Sequence, residues 1–280
     1  MSTLHSWLGD AWNRHDRDAA ALTTDLLARA ATLPDDADGA NAVALARHVM
    51  LGHRADAAAL RAFLAALPVG DALRPAKDGA RWALATLEGS EAPALPESTT
   101  WRVLADVALA ELAAGRIASA RERVLGIEAT VAAHPDEAAR RAYAATAHSL
   151  TLALRTGPRE PARDALMLEM AALERRAWQR AGTWLQVQRA DYHLALCHAV
   201  LGQGAQAQAH ATACREACEA NGADAAERFF AHECSVHAAR AAGDAKAAAH
   251  HRARMVALLA EVEDAGMKAF CEETLASTPQ

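Results

Sequence analysis

Apolar residues recur three and four positions apart through most of this chain, the spacing that lays one stripe along an α-helix. From Trp101 the stripe runs through Leu104, Val107, Ala108 and Leu112, and halts at Gly115-Arg116. It resumes as Ile117, Ala120, Val124, Ile127 and Val131 before Pro135. Proline cannot continue a helix interior, so the pattern predicts two helices folded at Gly115 and closed at Pro135. Tyr143, Leu150 and Leu154 open a second pair that turns at Gly157-Pro158. Pro161 suits the first turn of its partner helix, and Leu166, Met170, Leu173 and Ala177 carry the stripe onward. Two more pairs are predicted over 183–222 and 223–266.

The turn glycines Gly115, Gly157, Gly202 and Gly243 are 42, 45 and 41 residues apart, and an alanine follows five residues after each: Ala120, Ala162, Ala207 and Ala248. A second series, Gly182, Gly222 and Gly266, falls at expected helix ends, where a left-handed residue closes the last turn. A fixed period of this size is the signature of a helical repeat array. Upstream, Leu4, Trp7, Leu8, Ala11, Ala20 and Leu27 fit the frame more loosely, with His15-Asp16 in the turn, and Leu45, Val49, Gly52, Ala57 and Leu64 fit it again. Residues 69–98 break it, with one helix over 72–87 and a loop through Pro93 and Pro96. The predicted organisation is two degenerate repeats over 1–68, an irregular helix and loop over 69–98, four repeats over 99–266, and a C-terminal cap and tail over 267–280.

Seven positions before the turn glycines stand Ala108, Leu150, Ala195 and Val236, and five positions after them the alanines already named. This pattern resembles the tetratricopeptide-repeat family, with Leu150 departing from its small residue and units longer than that family's usual ~34 residues. The resemblance covers 100–265 well and 1–68 weakly; an irregular helical bundle is the alternative. It implies an all-α, right-handed α-solenoid of helix-turn-helix repeats. The first helix of each pair would line a concave groove, and that groove would bind a protein or peptide.

Composition agrees with the class. Alanine, the best helix former, is roughly a quarter of the chain, and aromatics are only 4%. The net charge of −6 is interspersed without a Lys/Arg block, which disfavours nucleic acid. No run of ~18 apolar residues exists to span a membrane, and the first ten residues lack the pattern of a signal peptide. Five cysteines, an odd number in a chain with a real core, fit a cytoplasmic, reduced protein.

Counting back from the turn glycines, the resemblance places Arg102, Leu109, Leu112, Thr151, Arg155, Arg189, Tyr192, Leu196, Phe230, Glu233, His237 and Arg240 on the groove, with His5, Trp12 and Asn13 in the first unit. The binding expectation centres on Arg102, Arg155, Arg189, Tyr192, Glu233, His237 and Arg240. Guanidinium groups along a groove suit the carboxylates of an acidic peptide or a peptide C-terminus. The same arginines equally suit solvated helix faces, paired with nearby Glu or Asp.

All five cysteines (Cys197, Cys214, Cys218, Cys234, Cys271) and seven of thirteen histidines lie between His193 and Cys271. His210, Cys214 and Cys218 share one helix face, and His193 and Cys197 repeat the spacing. A ligand- or metal-sensing module is therefore the alternative function, against plain packing of small buried thiols. Two near-motifs fail. His232 and His237 are five residues apart, so on an α-helix they sit some 140° apart and cannot grip one ion. Gly202-Gln-Gly204 follows a helical segment where a dinucleotide turn needs a strand. The tryptophans Trp82, Trp101, Trp178 and Trp184 are expected to anchor helix contacts. No catalytic motif is present. The expectation is a non-enzymatic scaffold with no cofactor and no metal.

Overall fold

The computed structural model describes residues 3–279, whose regular elements are all helices, with no strand among them. They divide into two compact units, 1–146 and 147–280. The division falls inside a helix, and the irregular stretch 69–98 lies wholly within the first unit.

In the first unit, α1 (Leu4–Arg14) and α2 (Ala19–Arg29) are followed by α3 (Ala37–Arg47), which runs directly into a π-helical segment, His48–His53. Then come α4 (Ala57–Ala66), α5 (Arg74–Glu88), α6 (Glu97–Ala113), α7 (Ile117–Leu125) and α8 (Glu128–Ala133). Helix α6 packs on α5, on α7 and on the π-helical segment, so it is the spine of this unit. The stripe Trp101, Leu104, Val107, Ala108 and Leu112 is buried as predicted. The N-terminal phase is partly wrong: Ala20 and Leu27 are exposed, and α2 instead buries Leu22, Thr23 and Leu26.

Helix α9 (Glu137–Thr156) carries the division between the units. The second unit continues with α10 (Pro161–Ala181), α11 (Trp184–Val200), α12 (Gly204–Ala220), α13 (Ala225–Ala241), α14 (Ala245–Leu259) and α15 (Ala265–Ser277). Each helix from α10 to α15 packs on its neighbour in sequence, and α11 also packs on α13, and α13 on α15. The starts of α11, α13, α14 and α15 are set by side-chain caps. Thr183 and Gln186 form a capping box, and Asp224, Asp244 and Asp264 accept from the amides of Glu227, Ala247 and Met267.

Three of the four predicted turn glycines are left-handed, Gly115, Gly202 and Gly243, as is Gly222 of the second series. At Gly202 its own N–H reaches the Ala199 carbonyl (3.0 Å) and the Gln203 N–H reaches that of His198 (2.9 Å), the crossed bonds of a Schellman close. Gly157 has no such turn, because the connection to α10 is longer. Ala162 is therefore exposed while Ala120, Ala207 and Ala248 are buried. Gly182 caps α10 in extended geometry, and Gly266 opens α15 rather than ending α14. Trp101 is buried, but Trp184 is exposed.

Gly204 is needed for a different reason. A Cβ there would lie 2.6 Å from both Cα and N of Ala242, so the start of α12 rests on the backbone of the α13–α14 turn. Gly202 has open space around it and needs only its left-handed φ of 70°. Gly204→Ala should cost ~1–3 kcal/mol through backbone displacement, and Gly202→Ala about 1 kcal/mol through the left-handed penalty. Thermal melts of both variants should show the larger loss at Gly204; the reverse order would mean the close approach is not needed.

Candidate functional site

A cavity of about 280 Å³ in the second unit is lined by Arg155 of α9, Leu196, Ala199 and Val200 of α11, His237, Arg240 and Ala241 of α13, and Pro279. Its helical lining comes only from the first helices of successive pairs; α10, α12 and α14 contribute nothing. Four of the residues assigned to the groove, Arg155, Leu196, His237 and Arg240, meet here. No acidic side chain is on the wall. The Nε of Arg155 is buried and has no hydrogen-bond partner, which leaves a guanidinium donor unsatisfied beside the cavity.

Behind this wall, the Tyr192 hydroxyl donates to Glu233 Oε2 at 2.6 Å. His237 Nε2 lies 3.5 Å from the other oxygen of the same carboxylate. Burial and the adjacent Glu233 hold the Tyr192 phenol well above its ordinary value, so it remains a donor. Glu233 is thereby occupied by the protein itself.

The remaining groove residues separate from this cluster. Arg189 is exposed and bonds Glu227, with its Nε 3.0 Å from Oε1, so it behaves as a paired surface charge. Arg102 belongs to the first unit, where it lines another cavity, of about 350 Å³, with Arg47, Ser98 and Thr99. Leu109, Leu112 and Thr151 are core residues, and Thr151 bonds back to the Ala147 carbonyl. Phe230 is half-buried and meets Tyr192 edge-on at 6.2 Å. In the first unit His5 pairs with Asp38, Trp12 donates to Asn41, and Asn13 is exposed.

The cysteines are all free and buried. Cys214, Cys218 and Cys234 pack with Ala195, Ala207, Ala211, Ala231 and Ala238 in one apolar cluster. Burial pushes the Cys197 thiol up to about 12, and a hydrogen bond with Cys214 pushes the Cys218 thiol up. Thiols in that state are packing groups rather than ready thiolate ligands. The histidines instead serve buried acids. Glu174 Oε1 accepts from His148 Nδ1 and His193 Nδ1, each at 2.9 Å. Burial would raise the Glu174 carboxyl, but these two bonds prevail and hold it at about 2. Asp191 likewise accepts from Arg175 and His210.

A third histidine group, which the sequence reading passed over, lies in the first unit. One ring nitrogen from each of His15, His48 and His53 lies within 4.8 Å of the other two. The rings pack at centroid distances of 4.8–5.0 Å, and Trp12 stacks on His48 at 5.7 Å. His48 Nδ1 lies 2.7 Å from Asp106 Oδ1, and the other oxygen of Asp106 takes Arg47 Nε at 2.6 Å.

No family model, curated protein or solved structure matches the chain, so its function is argued from this geometry. Among the described residues no helix is long and apolar enough to cross a membrane.

His232 and His251 face each other with Nδ1 atoms 3.0 Å apart. Burial, helped for His232 by the neighbouring His251 and for both by Arg215, lowers each to about 4 from the ordinary 6.5. Between these values the unfolded chain binds protons that the folded rings refuse. The stability from keeping them neutral is therefore full above pH 6.5 and drains away as pH falls towards 4. A His232→Gln, His251→Gln double variant should lose less melting temperature than the parent between pH 7 and 5. Equal slopes in pH-dependent melts would remove this pair as the cause.

Proposed function

We infer that the chain is a helical-repeat binding module whose second unit captures a carboxylate-bearing end of a partner, foremost a peptide C-terminus. The observation that carries this reading is the wall of the 280 Å³ cavity: two guanidiniums and an imidazole, no acid, and an unsatisfied Arg155 Nε. Charge-assisted bonds from guanidinium to carboxylate are among the strongest available in a half-enclosed site. Leu196, Ala199, Val200 and Ala241 add an apolar floor for a neighbouring side chain. The volume lies at the lower edge of ligand pockets, ~300–1,000 Å³. It suits the end of a segment better than a long peptide laid across several repeats.

The packing of α11 on α13 and of α13 on α15 supports successive stacking of the pairs through their first helices; in the proposed reading that stack is a tetratricopeptide-like, right-handed solenoid with these helices on its concave side. A non-enzymatic adaptor in the cytoplasm is the corresponding cellular role, and a reducing compartment suits five free buried cysteines. The buried thiols weigh against the alternative of metal sensing by the cysteines of the C-terminal half.

The test uses a display library of random peptides with free C-termini against the full chain. Selected peptides should weaken ~10-fold or more when amidated at the C-terminus, and by ~10–100-fold against Arg155→Gln, the range expected for a lost charged hydrogen bond. Peptides that bind equally well when amidated, or that ignore Arg155→Gln, would overturn the carboxylate assignment.

A further inference from the structure

We propose that His15, His48 and His53 form a three-imidazole site for a zinc-class divalent metal ion. Three histidines from two segments, the α1–α2 turn and the π-helical stretch, bring one nitrogen each within 4.8 Å of the others. Zinc held at ~2.1 Å by tetrahedral nitrogens needs them about 3.4 Å apart. An ion would have to draw the rings together from this spacing, and the exposed His53 is the one freest to move.

The lone pairs are already assigned. His15 Nδ1 sits 2.6 Å from the Trp12 carbonyl, which can only accept, so Nδ1 carries the proton and Nε2 the lone pair. His48 Nδ1 faces the Asp106 carboxylate, which also takes Arg47, and the same logic leaves Nε2 as the acceptor. Metal-ligating histidines are characteristically oriented this way, one nitrogen bonded to a carbonyl or carboxylate and the other turned to the ion.

The backbone is shaped for the convergence. His48 and His53 are five residues apart, which an ordinary α-helix would splay by ~140°; the wider π turn, closing on i+5, brings them together instead, edge to face with centroids 4.8 Å apart. Two residues past the segment stands Ala55, the one described residue besides glycine with positive φ, 49°. Alanine there costs ~1–2 kcal/mol. Stored backbone strain of this kind clusters at functional sites. Three protein ligands leave a fourth position for solvent or a small anion, the pattern of an open zinc site rather than a closed structural one. An aromatic packing cluster with Trp12 is the competing account, and it predicts no stoichiometric metal.

Full-length protein, purified without a His-tag and stripped with chelator, is titrated with Zn²⁺ by calorimetry, with Mg²⁺ and Ca²⁺ as controls. One equivalent should bind with micromolar or tighter Kd, and millimolar Mg²⁺ or Ca²⁺ should not displace it. His53→Gln and His15→Gln should each weaken binding at least ~10-fold with unchanged circular dichroism, while His148→Gln in the second unit leaves it intact. His53 is exposed, so His53→Gln keeps the test readable if His15→Gln folds poorly. Absence of a stoichiometric site, binding that survives His53→Gln, or binding lost with His148→Gln would each overturn the proposal.

Discussion

Five carboxylates are buried among the described residues: Asp106, Glu111, Glu174, Asp191 and Glu233. Each is met by groups that donate to it. Asp106 takes Arg47 and His48, Glu111 takes Arg123 and Ser119, Glu174 takes two histidines, Asp191 takes Arg175 and His210, and Glu233 takes Tyr192. An ion left unpaired inside such a core costs ~3–5 kcal/mol, whereas a matched pair is nearly neutral against an apolar replacement. The pairs therefore do little for overall stability, but they forbid arrangements that separate the partners. Helices faced with alanine and cysteine have few large side chains to fix their register, and these polar contacts between helices supply what packing shape does not. They also explain the histidine content of the second unit, where imidazoles answer carboxylates more than they gather metal.

Much of the helix-pair plan was legible because its signals are local. An apolar stripe, a left-handed glycine and an aspartate cap act within a few residues, so Gly115, Gly202 and Gly243 mark real turns. Legibility failed where the connection changed length. The longer link from Gly157 to Pro161 shifts the phase of α10, exposing Ala162 and leaving burial to begin at Leu166. Gly182 and Gly266 matched the period but not the conformation. A repeat distance predicts where a residue falls along the chain; whether it closes a helix depends on which carbonyls it can reach.

The groove assignment divided by the same logic. Arg155, Leu196, His237 and Arg240 come from α9, α11 and α13 and share a cavity, because position relative to a turn translates into position on a helix face. Arg189 lies on one of those helices yet was claimed by Glu227, a residue 38 positions away that no count from a glycine could include. Tyr192 and Glu233 were placed on the groove as independent ligands. Their hydrogen bond makes them supports for it, with His237 between the carboxylate and the cavity wall.

The histidine pairs show most sharply what periodicity leaves out. His232 and His237 have the same five-residue separation as His48 and His53. On the regular helix α13 the first pair diverges, His232 towards His251 and His237 towards Glu233. In the first unit the helix widens immediately after Arg47, and the second pair converges instead. The widening coincides with Asp106, whose two oxygens hold Arg47 at the end of α3 and His48 at the first residue of the π turn. Gly52 sits in the same tight place: a Cβ there would stand 3.3 Å from side-chain atoms of Asp106, His48 and Leu109, which would have to shift by a few tenths of an ångström. A buried acid on one helix thus meets another at the residue where its pitch changes, and orients His48 there. Through His48 the imidazole cluster is tied to the core by a buried carboxylate, which no surface pairing would provide.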